Sequence, residues 1–304
     1  MRFDHLPLTL RQLQYACAVA EELSFRRAAE RCHVAQPSLS AQLAELERGL
    51  GITLFERDRR RVLVTAAGAE VLARARALLL AADDLVDAAR RRADPLAGAL
   101  RIGVIPTIGP YLLPDLDPAL RRAFPELELR WSEDQTERLV AQVQTGDLDA
   151  ALLALEADLG DLEHATIGVD RFVLAAPASH PLSRGRRRLK IEDLATQRVL
   201  LLDDGHCLRD QALDLCALVG AQELGFRATS MTTLVQMAAS GAGITLLPAM
   251  ALEVENRRAE LVIRRFREPA PHRTIAFAWR PGSPLREPLE ALAAAARAAY
   301  VEIT

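Results

Sequence analysis

The hydrophobic positions divide the chain into three stretches with different periods. In the first sixty-odd residues, Leu10, Leu13, Ala16, Cys17 and Ala20 recur at helical spacing, which predicts an amphipathic helix. Ser24 stands where its hydroxyl caps a second helix, Phe25 to Arg31. After Cys32-His33-Val34, the pair Gln36-Pro37 opens a third helix, because proline fits a first turn where its missing N–H is not needed. Leu39, Leu43, Leu46 and Leu50 fall within about 60° of one another at 100° per residue and predict a core stripe. Pro37, Ala41 and Arg48 point the other way, with Ser38 and Ser40 on the flanks. Gly49 and Gly51 end the helix, and Leu54 to Val64 reads as a small arginine-bearing hairpin.

Thr65 then caps a long helix predicted to end near Arg92. Its Leu72, Ala75, Leu79, Ala82, Val86 and Ala89 alternate steps of three and four, the seam of a helix that pairs with a second copy. Val71, Leu78 and Leu85 form a second stripe, expected to pack on the preceding domain. Asp94 to Gly98 breaks the helix and reads as a hinge. Beyond it the period changes again. Strands are expected at Leu100–Ile105, Leu127–Trp131, Leu148–Leu153, Val199–Leu202, Phe226–Thr229, Gly243–Leu247 and Thr274–Trp279. Helices are expected at Tyr111–Phe124 and Thr136–Gln144, from about Leu208, near Leu234 and in the alanine-rich end. Strands alternating with helices imply parallel sheet. Two α/β lobes with a cleft between them follow, and such clefts bind small ligands at strand C-terminal ends.

Charge modifies this picture only when it is split. The 304 residues net −3, yet residues 1–65 hold ten arginines against eight acidic residues and net +2, which leaves −5 for the rest. The placement of charge matters more than the total, so the acidic sum does not exclude nucleic acid. Three helices followed by an arginine-bearing hairpin suit a winged helix-turn-helix. Ser38 and Ser40 would bond phosphate or base edges, and Ala41 would meet a thymine methyl. A three-helix packing unit with solvated charges fits the same spacing. Half of the residues are hydrophobic, no apolar run approaches the ~18 residues of a membrane span, and no signal-peptide pattern is present. A cytoplasmic protein with reduced cysteines is expected.

The four cysteines carry the candidate chemistry. Cys17 and Cys32 read as small buried hydrophobes, and Cys32-His33 is too short a constellation for a zinc site, which needs about four ligands. No metal or cofactor is expected. Cys207 differs. Asp203-Asp204-Gly205-His206-Cys207 follows a buried strand and opens a helix, where backbone N–H groups and the positive helix end favour a thiolate. Asp203 and Asp204 would oppose it if they faced the sulfur. Cys216 lies nine residues on, a rise of about 13.5 Å and a half-turn away in an intact helix. A disulfide needs Cα atoms within about 7 Å, so bonding would require rebuilding the segment. On spacing alone, two unrelated cysteines in a core helix is the simpler reading.

The wording of particular segments adds to this. Phe25-Arg26-Arg27-Ala28-Ala29-Glu30, Val34-Ala35-Gln36-Pro37-Ser38-Leu39-Ser40, Leu46-Glu47, Gly49-Leu50-Gly51 and Leu54-Phe55-Glu56-Arg57 resemble the N-terminal domain of LysR-type transcriptional regulators. Leu202 to Ala212 with Cys216, Ile102 to Pro114, Phe226 to Ser230, Gly243 to Pro248 and Arg273-Thr274-Ile275 resemble the peroxide-sensing branch of that family, and the likeness covers nearly the whole chain. Cys17 and the residues between Leu213 and Leu224 depart from the pattern.

The resemblance implies an overall α/β protein that is a regulator and not an enzyme. A winged helix-turn-helix occupies residues 1–64, a dimerising linker helix 65–93, a hinge 94–99 and a two-lobed regulatory domain, like type 2 periplasmic binding proteins, 100–304. Lobe I takes residues 100–170 and 275–304, and lobe II takes 171–274. DNA contacts are expected from Gln36, Pro37, Ser38, Ser40, Arg57 and Arg59. Hydrogen peroxide would oxidise Cys207, Cys216 would resolve it as a disulfide, and Thr107, Thr136, His206 and Arg273 would bind or activate the oxidant. Promoter DNA, RNA polymerase and further copies of the chain, as a dimer of dimers, are the implied partners. A small organic effector in the inter-lobe cleft is the alternative signal. A thiol peroxidase would leave residues 1–92 without a role.

Overall fold

The structure is a computed structural model. It describes residues 6–58, 61–90, 98–205 and 207–303, and of 57, 58, 61, 87–90 and 301–303 only the backbone. Contacts divide the chain into two units, Met1–Arg92 and Ala93–Thr304.

The first unit runs α1 (Leu10–Glu22), α2 (Phe25–Arg31), α3 (Gln36–Leu50), β1 (Phe55–Asp58), β2 (Arg61–Val64) and α4 (Ala66–Arg90). Local chemistry accounts for the boundaries. The Ser24 hydroxyl accepts from the Arg27 N–H, and Thr65 Oγ1 accepts from the Gly68 N–H at 2.8 Å, each satisfying a free helix-end donor. Gly51 closes α3 in the left-handed conformation at φ 68°, where glycine carries no Cβ penalty. Glu47 holds the start of the hairpin to α3, its Oε1 accepting from the N–H groups of Leu54 at 2.7 Å and Phe55 at 3.2 Å. Leu13, Val19, Leu39, Leu43, Leu46 and Leu54 fill the core.

α4 corrects one expectation. Leu72 and Ala75, read as part of a seam for another subunit, are buried in the core of their own unit, while Leu78 and Leu85, expected to pack inward, are 53% and 72% exposed. The helix packs against α1. Val71, Leu72, Ala75 and Leu79, drawn from both stripes, meet that core, while Leu78, Leu85 and Val86 are exposed. The side chain of Ala89 and residues 94–97 of the expected 94–99 hinge lie outside what is described, while Gly98 and Ala99 of that hinge open the strand Gly98–Val104.

The second unit contains β3 (Gly98–Val104), α5 (Gly109–Ala123), β4 (Leu127–Glu133), α6 (Thr136–Thr145), β5 (Ala150–Ala154), β6 (Glu163–Ala176), β7 (Arg198–Leu202), α7 (Cys207–Val219), β8 (Gln222–Ala228), α8 (Met231–Ala239), β9 (Ile244–Pro248), α9 (Leu252–Glu255), β10 (Val262–Arg265), β11 (His272–Trp279) and α10 (Arg286–Ile303). The strands follow the order β4-β3-β5-β11-β6-β9-β7-β8, with β10 also on β6. β3 pairs in parallel with β4 and β5, and β7 with β8 and β9.

β6 joins these two parallel groups. Its first half pairs antiparallel with β11 and its second half with β9 and β10. One continuous core lies under the first group and includes Leu152, Phe277, Trp279 and Leu289. Two smaller cores lie about the second group. Gly168 is required within β6, because a Cβ there would stand 2.1 Å from the Tyr300 ring of α10. Among the described residues, no helix is long and apolar enough to cross a membrane.

Candidate functional site

Strand-to-helix junctions bring the chemistry together. Thr107 follows β3, Thr136 is the first residue of α6 after β4, and Cys207 is the first residue of α7 after β7. All three are buried, and Arg273 on β11 is fully buried. Arg273 lies directly opposite Asp170 of β6 in the strand register, and the two form an ion pair at 3.0 Å. Asp170 also accepts from the Met250 N–H at 3.2 Å. The remaining guanidinium nitrogens donate to Thr107 Oγ1 and Thr107 O, both at 2.8 Å. With its oxygen accepting from Arg273, the Thr107 hydroxyl keeps its own proton to donate. Thr136 Oγ1 is buried with no hydrogen-bond partner, although it stands close enough to the Cys207 sulfur to favour a thiolate there.

The thiolate expectation needs correction. Burial pushes the Cys207 thiol above its ordinary value. Arg273, the Thr136 hydroxyl and the Leu208 N–H pull the other way, and Asp210 adds to the rise. Desolvation outweighs the helix end. Burial thus favours the thiol, with thiolate-stabilising groups already around it. Asp203 and Asp204 do not oppose them. Asp204 pairs with Arg227 at 2.6 Å and Arg209 at 2.9 Å, and Asp203 meets Arg227 at 3.8 Å. His206 lies outside the described residues.

Cys207 and Cys216 are both free and both buried, on one unbroken helix. They belong to different cores. Cys207 packs with the first strand group, and Cys216 packs with Val199, Ala212 and Ile244 beside the second. Burial also raises the Cys216 thiol, with Glu223 adding to it. The first turn of α7 is pinned by Arg209, whose guanidinium donates to Leu202 O at 3.0 Å, Asp204 at 2.9 Å and Glu223 at 2.9 Å. One turn beyond Cys207, both amide atoms of Gln211 are buried without partners, a state that costs about 1–3 kcal/mol per group.

At the other candidate site, Gln36, Pro37 and Ser38 are exposed on the first turn of α3. Ser40 departs from expectation. It is only half exposed, and its hydroxyl is buried with no partner, so it does not face outward with Ser38. Arg57 lies on β1, opposite Val62, and its side chain is not described. Arg59 lies outside the described residues.

Residues 10–69 match the bacterial regulatory helix-turn-helix protein family of lysR type. Residues 93–300 match the LysR substrate binding domain. The chain belongs to the LysR family. This LysR-family chain is 44% identical over 292 residues to the DNA-binding transcriptional dual regulator OxyR of Escherichia coli K12, covering 96% of this chain and 95% of that one. Among solved structures it resembles full-length OxyR from Pseudomonas aeruginosa carrying a cysteine-to-aspartate substitution, with TM-score 0.76, 36% identity and 95% of each chain covered. It also resembles a hydrogen-peroxide-bound cysteine-to-serine mutant of Corynebacterium glutamicum OxyR, with TM-score 0.66, 35% identity, 97% of this chain and 93% of that chain covered.

Two residues of this LysR-family site escape a reading of the sequence. Asp170 lies in a stretch whose alternation is broken by Gly168 and by the charged pair Asp170-Arg171, so the pattern predicts no strand where β6 runs. Gln211 is a polar residue mid-helix, and in sequence nothing separates a buried glutamine from a solvated one. Among the described residues, no group of three His, Cys, Asp or Glu could hold a metal ion.

Proposed function

We propose that this LysR-family chain is a DNA-binding transcription regulator that senses hydrogen peroxide at Cys207 and switches when Cys207 pairs with Cys216. One observation carries the reading. A buried thiol at a strand-to-helix junction stands beside an unpartnered Thr136 hydroxyl and a fully buried Arg273. Those groups suit a small oxidant with two hydrogen-bonding oxygens. The names of the similar proteins, OxyR and its peroxide-bound form, support the same signal.

In the proposed sequence, the Cys207 thiol loses its proton and the sulfur attacks one peroxide oxygen. An S–O bond forms, the O–O bond breaks, and the departing hydroxide takes a proton to leave as water. Arg273 stabilises the thiolate electrostatically, and the Thr107 and Thr136 hydroxyls orient the oxidant. The product is a sulfenic acid. The Cys216 sulfur then attacks Cys207, forming the S–S bond and releasing the second water. The two cysteines are about 13.5 Å apart along an intact helix, so α7 must unwind. Leu208, Arg209, Ala212 and Cys216 would leave their buried positions, and the unpartnered Gln211 amide lowers the barrier to that loss.

Such a change alters the regulatory unit, proposed as lobe I at 100–170 and 275–304 and lobe II at 171–274. Subunit arrangement in a dimer of dimers would follow, and with it the spacing of the α3 helices on promoter DNA and contact with RNA polymerase, in the cytoplasm where that DNA resides. Gln36, Pro37 and Ser38 are the proposed major-groove contacts, with wing arginines at Arg57 and Arg59 reaching phosphates. Footprinting of the chain's own promoter region with reduced and peroxide-treated protein tests the reading. A footprint whose length or position changes on oxidation supports it. An identical footprint in both states, or none, contradicts it.

A further inference from the structure

A cleft of about 370 Å³ opens in the regulatory unit, and its walls are continuous with all three segments that hold the Cys207 site. Pro106 immediately precedes Thr107, Gln135 immediately precedes Thr136, and Asp203-Asp204 begins the turn that leads into α7. The Gln135 side chain reaches across to that turn, since a Cβ on Gly205 would stand 2.6 Å from its Nε2. Thr136, next in the chain, carries a buried hydroxyl with no partner, close to the Cys207 sulfur.

The rim of this cleft is acidic. Glu133, Asp134, Asp203 and Asp204 line it with Arg138. Asp203 and Asp204 are paired with Arg227 and Arg209, so the uncompensated charge lies chiefly on Glu133 and Asp134. Asp134 meets Arg138 only at 3.5 Å, with the arginine side chain 71% exposed, a geometry that neutralises little in water. Glu133 makes no ion pair among the described residues. Arg209 and Arg227 behind Asp204 are shared with Glu223, so the carboxylates outnumber the cations that face them.

We propose that this rim is a charge filter, admitting uncharged reactants to Cys207 and repelling anionic ones. The proposal rests on Cys207 as the reacting thiol of the preceding reading. Like-signed charges lining a cleft with low-dielectric walls focus the field and change the approach of charged molecules by factors of about 10 to 10³, while a neutral molecule is unaffected. Hydrogen peroxide and other uncharged hydroperoxides pass. Oxidants that bear negative charge are slowed at the rim before any chemistry begins. Glu133 and Asp134 are thus specificity determinants that touch neither the sulfur nor the oxidant in its reacting position.

Alkylation tests the filter without relying on peroxide chemistry. Fully reduced full-length protein is treated with iodoacetamide, which is neutral, or iodoacetate, which is anionic. In both, the Cys207 thiolate displaces iodide and forms an S–C bond. Peptide mass spectrometry gives the two rates, and their ratio is referred to that of a neutral small thiol, the amide of N-acetylcysteine. The expected preference of Cys207 for the neutral reagent is about tenfold greater than that of the reference at low salt, and it shrinks as added salt screens the rim. In Glu133→Gln/Asp134→Asn the preference falls about fivefold while the iodoacetamide rate changes less than twofold. A ratio equal to the reference and insensitive to salt overturns the proposal, as does a variant in which both rates rise together. The salt series on unaltered protein keeps the test decisive if the variant folds poorly. If the filter holds but peroxide forms no disulfide, the peroxide reading alone fails.

Discussion

Arg209 sets how readily α7 lets go. Its guanidinium ties the first turn of the helix to β7 through Leu202 O and to β8 through Glu223, with Asp204 as a third partner. Its own side chain is 6% exposed, as against 70% for Asp204 and 29% for Glu223. Charged hydrogen bonds contribute about 1.5–3 kcal/mol each, but the exposed Asp204 contact is worth well under 1 kcal/mol. The anchor therefore stabilises the reduced helix by about 3 kcal/mol in total. If α7 unwinds on oxidation, those contacts exist only in the reduced protein. Replacing Arg209 with Met removes them while keeping an unbranched apolar stem in the same space. The reduced state then loses about 3 kcal/mol relative to the oxidised one, which at 30 mV per 1.4 kcal/mol shifts the reduction potential about 60 mV more negative. Equilibrating the regulatory disulfide against graded glutathione buffers and counting thiols by mass spectrometry reads the shift directly. A potential within about 10 mV of the unaltered protein, or one shifted the other way, would mean that the Arg209 anchor survives oxidation. The unwinding of α7 would then be refuted.

Three other outcomes follow from the same structure. Because burial raises the Cys207 thiol, the thiolate is a minor species at neutral pH. Its oxidation rate by peroxide in stopped-flow measurements should climb about tenfold per pH unit from pH 7 to 8.5, and a flat profile would show that the resting sulfur is already ionised. Arg273→Met leaves Asp170 buried without its cation. It should lower stability to denaturant by about 3–5 kcal/mol and slow Cys207 oxidation by at least about tenfold, with Arg273→Lys recovering part of both; unchanged kinetics would remove Arg273 from the site. Leu85→Asp places a charge on the exposed stripe of α4. Sedimentation should then show dissociation without loss of helical content, whereas an unaltered oligomer would mean that this stripe is not where copies meet.

The sequence is most legible where one residue decides the local structure. Ser24, Pro37, Gly51 and Thr65 mark helix ends because each satisfies or avoids a specific backbone group, and the structure uses them so. The parallel strands are legible for a related reason, since short apolar runs such as Val199 to Leu202 alternate with helical stretches and are bounded by turn residues such as Asp203-Asp204-Gly205. What fails to show is any feature set by distant partners. β6 carries Gly168 because Tyr300, near the far end of the chain, fills the space its Cβ would need, and no local pattern announces that. Both stripes of α4 are apolar, and residues from each, Val71 as well as Leu72, Ala75 and Leu79, meet the core, while Leu78, Leu85 and Val86 do not; no local pattern tells these apart. Ser40 and Ser38 read alike, yet the hydroxyl of Ser40 is turned inward.

The site shows the same division. Cys207 can be placed at a helix start from its neighbours, and Thr107 and Thr136 fall at equivalent junctions. The sign of the Cys207 shift cannot, because it depends on how deeply the sulfur is buried against how close Arg273 lies. Both are fixed by the packing of β11 against β6. Asp170, which holds Arg273 in place, is invisible until that pairing is known.

The central claim is that peroxide joins two cysteines that the reduced fold keeps in separate cores. Mapping disulfides by mass spectrometry after one equivalent of hydrogen peroxide tests it most directly. The account predicts a single Cys207–Cys216 linkage, with Cys17 and Cys32 still reduced and new protease sensitivity between residues 207 and 219. Absence of that linkage, or a disulfide involving Cys17 or Cys32 in its place, would contradict it.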